Sequence, residues 1–151
     1  AATGARAGRS LEVEVRPVSS AYFATMRIPI RQGGTFQRGG TPAAGGAVID
    51  EMTAERLFPG GNPVDQSITL VGWEGDSTLR IVGVAGGVRD VDPREAPRPT
   101  VYVPSTMIPT ESSLLLVRTG AAPTALAGPV RATLRALDPY VATAGMETVD
   151  A

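Results

Sequence analysis

The 151-residue chain holds 42% hydrophobic and 19% charged residues at a formal net charge of −1, and has neither Cys nor His. That length suits one domain with its own core. The 14 basic residues, balanced by 15 acidic ones without runs of like charge, exclude the electrostatic footprint of a nucleic-acid binder.

All the basic residues are Arg, which excludes Schiff-base chemistry, a phosphate-loop Lys and a Ser-Lys pair. The absence of Cys excludes disulfides, thiolate metal sites and thiol catalysis, and the absence of His removes the commonest base near neutral pH. No apolar run approaches the roughly 20 residues that span a bilayer. With 18 Gly and 13 Pro, short elements and many turns are expected.

In chain order, residues 1–10 read as a flexible lead whose abrupt start suggests a segment of something longer. Leu11 to Val18 then alternates, with Leu11, Val13 and Val15 on one face and Glu12, Glu14 and Arg16 on the other, which predicts a half-buried strand. Ser19 and Ser20 stand at the N-cap of a short helix to Met26, whose Tyr22, Phe23 and Met26 form a core stripe; Pro29 ends it. Gln32 to Gly46 reads as an irregular loop pinned by Phe36.

Ala47 to Ile49 is a brief strand running into Asp50, an N-cap, with Glu51 in the first turn of a helix carrying Met52, Ala54, Leu57 and Phe58. Pro59, Gly60 and Gly61 stop it. Ile68–Val71 and Leu79–Val84 form a hairpin with Trp73 near its tip, expected at the centre of the sheet. A polar, Pro-rich loop leads to a strand at Thr100–Val103. Ser113–Arg118 is expected as a strand buried on both faces, because Leu114 to Val117 are continuously apolar. A helix follows to about Leu137 with Leu126, Val130, Leu134 and Leu137 on one face; Pro129 requires a late start or a kink. Val141–Met146 is expected as a last strand.

A search for chemistry returns little. Without His or Lys a Ser nucleophile lacks a matched base, no GxSxG occurs, and the paired glycines never fall into phosphate-binding spacing. Asp90, Asp92 and Glu95 form the one carboxylate cluster, on a loop among Arg89, Arg94 and Arg98 and without the Gly and distal Glu of a calcium loop. A self-paired, solvated loop is therefore favoured over a metal site or a carboxylate-dependent hydrolase. Trp73 supplies the contact area typical of a docking residue, although a Trp folded back onto its own sheet is equally common. Trp73, Arg89, Asp90 and Asp92 are the candidate partner-contact residues; no catalytic, cofactor-binding or metal-binding residue is assigned, and no cofactor is expected.

Three ordered stretches carry a family resemblance: SSAYFATMRIPI followed by Phe36; AVIDEMTAERLFPGGNPVDQSITL leading to LRIVGVAGGVRD; and PTVYVPSTM followed by LLLVRTGAAPTALAGPVRATLRALDP. Together, over about Val13 to Val149, they resemble the extracytoplasmic core domain of MacB-like and FtsX-like ABC-transporter permeases. Two departures stand out: Asp65 replaces a common Gly after the NP turn, and Gly33-Gly34-Thr35 replaces a Gly-Arg-acid stretch. The chain also starts after the family's first strand and helix, and METVDA resembles the approach to the family's next transmembrane helix.

The resemblance implies an α+β fold, a mixed sheet with a few short helices in a porter-like lobe plus a smaller inserted β-rich lobe. Residues 1–151 would form one extracytoplasmic domain, with residues 1–32 and 97–151 in one lobe and 33–96 in the other, joined near 33–46 and 86–99. It implies a place on the periplasmic side of the bacterial cytoplasmic membrane within a membrane-embedded protein. The implied partners are a cytoplasmic ATPase subunit reached through the permease, a second permease copy or half, and a periplasmic adaptor or lipoprotein. The expected function is non-catalytic coupling of ATP-driven motion to export or substrate hand-over; the alternative is a binding module for a lipid, peptide or small solute.

Overall fold

Residues 2–6, 8–37, 46–72, 75–87, 98–108 and 112–148 are described by the structure, a computed structural model. They fall into two compact units, Ala1–Leu115 and Leu116–Ala151.

The first unit is built on seven strands: β1 (Ala2–Arg6), β2 (Arg9–Val18), β3 (Ile30–Gly33), β4 (Ala47–Asp50), β5 (Ser67–Val71), β6 (Ser77–Ala85) and β7 (Thr100–Pro104). β2 and β6 are long enough to serve two neighbours in succession. Residues 9–13 of β2 pair with β1 and residues 14–18 with β7. Residues 77–80 of β6 pair with β5, and the stretch from Ile81 onward pairs with β4 and β3. Because β1 also pairs with β5, the order β6-β4-β7-β2-β1-β5 returns to β6, with β3 appended outside that ring. Closure leaves fewer bare strand edges. The β2–β7 and β4–β6 pairs are parallel and the others antiparallel, so the sheet is mixed as expected. Strands on either side of the Gly-rich joints bond to one another, β3 to β6 and β4 to β7, so the ladder runs across both joints.

Alternation sorts the side chains into two cores. Val13, Ile49, Ile68, Leu70, Ile81, Val101 and Val103 face inward with Leu57 of α2 (Glu51–Leu57) and Phe58, its C-cap. Val18, Val48 and Tyr102 face the opposite way, against Phe23 of the single-turn α1 (Tyr22–Thr25), Ile28 and Phe36. The Phe23 and Tyr102 rings meet edge to face with centroids 5.1 Å apart. Strands β4 and β7 are buried on both faces, so they form the centre of the sheet. This corrects the expectation that the β5–β6 hairpin lies there: β5 exposes Ser67 and Val71.

Other differences have local causes. Residues 2–6, expected as a loose lead, form β1: Arg6 pairs with Arg9 and Gly8 turns the chain at φ +74°. Ile30–Gly33 is a strand rather than the start of a loop, bonded along β6. Helix α1 is capped at Ala21 without a side-chain bond, and the Ser19 carbonyl accepts from Tyr22 N at 3.0 Å, so neither Ser19 nor Ser20 is its cap. Asp50 does cap α2, its Oδ1 accepting from Thr53 N at 2.8 Å.

In the second unit a 3₁₀ turn over Pro123–Leu126 leads into α3 (Ala127–Leu137). Pro129 falls in the first turn, where its missing N–H has no intrahelical partner to lose, so the helix starts late rather than kinking. Neither Ser113–Arg118 nor Val141–Met146 is a strand, and Leu114, Leu115 and Val117 are exposed rather than buried on both faces. Neither segment is among the strands of the sheet.

Candidate functional site

The four candidate contact residues, Trp73, Arg89, Asp90 and Asp92, lie outside the described residues, as does Glu95. Their flanks are fixed. Trp73 follows Gly72, whose φ is +77° and whose N–H donates to Asp76 Oδ1 at 3.1 Å; Gly75, at φ +73°, opens the return. These two left-handed glycines belong to the connection between β5 and β6, the hairpin expected from the sequence.

The segment bearing Arg89, Asp90 and Asp92 leaves from one rim of the sheet and returns to it. On the leaving side Ala85 pairs with Asp50, and Gly87 N donates to Glu51 Oε2 at 3.1 Å. Glu51 Oε1 also lies 3.3 Å from Arg31 Nε. On the returning side Pro99 O accepts from Glu14 N at 2.8 Å, and Thr100 pairs with Glu14. One carboxylate at the start of α2 thus ties β3 and the departing backbone together.

The charges near this rim and elsewhere are structural in their geometry. Glu14 and Arg16 form a two-pronged pair, Nε to Oε1 at 2.8 Å and Nη2 to Oε2 at 3.1 Å. Asp65 and Arg80 pair at 3.1 Å with both side chains exposed. Asp50, the one buried carboxylate among the described residues, is consumed by its cap. No three potential metal-ligating side chains gather among the described residues. Tyr22 and Phe23 pack against one another and against Tyr102, a core arrangement rather than a ligand box.

Composition reasoning missed the apolar surface near the end of the chain. Leu114, Leu115, Val117, Leu137, Tyr140, Val141 and Met146 are all exposed, whereas the run Leu114–Val117 reads in sequence as a core strand. The absence of any long polar stretch after it was the available signal.

A family model described as the MacB-like periplasmic core domain matches residues 1–137. The chain belongs to the family of MacB-like periplasmic core domains. The match to this MacB-like domain begins earlier and stops sooner than the Val13–Val149 resemblance read from the motifs.

Solved structures show the same fold. The periplasmic region of MacB from Actinobacillus actinomycetemcomitans aligns at a TM-score of 0.66 and 13% identity, covering 90% of this chain and 62% of that one. A domain of a permease protein from Porphyromonas gingivalis aligns at 0.61 and 14% identity, covering 89% and 64%. The extracellular domain of the noncanonic ABC-type transporter YknZ from Gram-positive bacteria aligns at 0.54 and 18% identity, covering 70% and 50%. The MacB-like domain therefore spans between 50% and 64% of the length of these structures. A search of curated proteins finds no match. No helix among the described residues is long and apolar enough to cross a membrane.

Proposed function

We propose that this MacB-like domain is the non-catalytic, extracytoplasmic part of an ABC-transporter permease, coupling ATP-driven motion to export or substrate hand-over through protein contacts. The observation that carries this reading is the family match over residues 1–137. The chain spans half to two thirds of its structural relatives, which fits a part of a larger permease. A closed ring of strands with two packed cores is a body that transmits force, since dense interiors resist compression.

In this reading the partners are a cytoplasmic ATPase subunit acting through the rest of the permease and a second permease copy or half. A periplasmic adaptor or lipoprotein is a third. Trp73 and the segment with Arg89, Asp90 and Asp92 are proposed as contact points; support comes from the described residues beside them, which end β5 and β6.

Location is tested by labelling a Glu55→Cys variant in cells producing the parent permease. Glu55 is exposed on α2, and the chain has no other thiol. A membrane-impermeant maleimide applied to cells with a permeabilised outer layer is expected to label it. Labelling only after the cytoplasmic membrane is broken would overturn the reading.

A further inference from the structure

The first unit gathers arginines at one corner. The register makes Arg6, the last residue of β1, the Cα partner of Arg9, the first of β2, across a turn at Gly8. Like charges directly opposite one another on paired strands cost stability. Arg9 is exposed and shares the strand face of Leu11 and Val13, which pack with Leu57, and its Nη1 donates to the carbonyl of Arg56 at 3.3 Å. Arg56 is exposed in the last turn of α2; the residues three and four positions away on either side are Thr53, Met52, Pro59 and Gly60, so no acid lies within helical reach. Elsewhere in the unit Arg16 pairs with Glu14, Arg31 with Glu51 and Arg80 with Asp65, whereas Arg9 and Arg56 have no ion pair among the described residues. The bond to Arg56 uses one of the five donors of the Arg9 guanidinium, and a basic residue late in α2 suits the helix dipole. Neither explains a third arginine at this turn.

We propose that the corner formed by the β1–β2 turn and the end of α2, centred on Arg9 and Arg56, is a docking surface for an acidic segment of a partner protein. Charge complementarity selects that occupant: the planar guanidinium fork matches a carboxylate two bonds at a time, and a carboxylate there also relieves the repulsion between Arg6 and Arg9. A lipid surface fits less well, because interfacial binding needs apolar side chains that insert beside the charges, and Leu57 and Phe58 at this end of α2 are buried. The proposal rests on the reading that the domain works through protein contacts, and it gives that reading a site.

The test titrates the 151-residue chain with a hexaglutamate peptide and follows the arginine Nε–Hε signals by nuclear magnetic resonance. The Arg9 and Arg56 signals are expected to shift saturably and further than those of Arg27 and Arg80. The apparent Kd should rise about fivefold or more between about 20 mM and about 200 mM salt. Arg9→Gln combined with Arg56→Gln should weaken binding about fivefold or more, whereas Arg27→Gln leaves it within about twofold. Arg56→Gln alone, which spares the bond made by Arg9, should still weaken binding about twofold or more, so a helix end disturbed in the double variant does not decide the result. Absent binding, or equal shifts at all of these signals, would overturn the proposal. Binding to phosphatidylglycerol vesicles with no response to hexaglutamate would overturn it in favour of a lipid surface. Because the location test reads labelling of Glu55→Cys in cells, this proposal can fail while that reading stands.

Discussion

Asp65 and Arg27 hold backbone angles that favour glycine, φ +67° and +55°. At Asp65 the reason is visible: its N–H donates to Ile81 O at 2.8 Å, and Gln66 bonds both Pro63 and Ile81 across the turn that follows Asn62 and Pro63. A family Gly in this place is therefore physically explained, and Asp is tolerated because its short side chain accepts the left-handed region. Asp65→Gly is expected to leave stability within about 1 kcal/mol, since the exposed Asp65–Arg80 pair adds little, whereas Asp65→Val should cost about 1–2 kcal/mol. Urea unfolding of the two variants distinguishes these outcomes. The other departure behaves differently. Gly33 sits at φ +67°, and a Cβ there would collide with Val82 O, while Gly34 faces open space. Gly33→Ala should cost about 2 kcal/mol or more and Gly34→Ala less than about 1 kcal/mol. Equal effects in thermal melts would refute this account of the pair.

At the scale of elements, the parts that were legible are those whose own residues decide them. β2 announced itself by alternation, and α2 by Asp50 before an apolar stripe. Asp50→Ala should therefore cost about 1 kcal/mol, read as a lower unfolding midpoint, because Thr53 N loses its acceptor while Thr53 stays buried. Phe23→Ala should cost about 3–5 kcal/mol, since that ring joins α1 to Tyr102 and Phe36. A loss below 1 kcal/mol in denaturant titration would mean that α1 does not help close the second core. Elements set by their neighbours were not legible. β1 is Ala-Thr-Gly-Ala-Arg, a poor strand former by composition, and is held by β2 and β5 on its two sides. The run Leu114–Val117 failed in the opposite sense: strong strand-forming residues that are in none of the strands of the sheet.

At the scale of the whole molecule, the two units differ in what holds them. Strands β4, β5, β6 and β7 and Thr53 of α2 carry the side chains with no exposure, and α3 carries none; of these strands β4 and β7 are buried on both faces and β6 has three neighbours. Amide hydrogen exchange of the 151-residue chain should accordingly give its slowest exchange in β4, β6 and β7 and rapid exchange throughout α3. Slow exchange in α3 at low concentration would show that the helix is already covered. The family was legible from motif order because the Leu57–Leu70 stretch joins a helix end, a tight turn and a core strand, three constraints that seldom coincide. The candidate contact residues lie outside the described residues, and partner recognition depends on surfaces outside this chain.

Coupling to ATP is the central claim, and interspin distance tests it most directly. Spin labels at Glu55→Cys in a permease dimer, reconstituted with its ATPase, report the separation of the two MacB-like domains. The account predicts that the distance distribution differs between nucleotide-free and ATP-trapped states. An unchanged distribution, in a preparation shown to bind ATP, would contradict it.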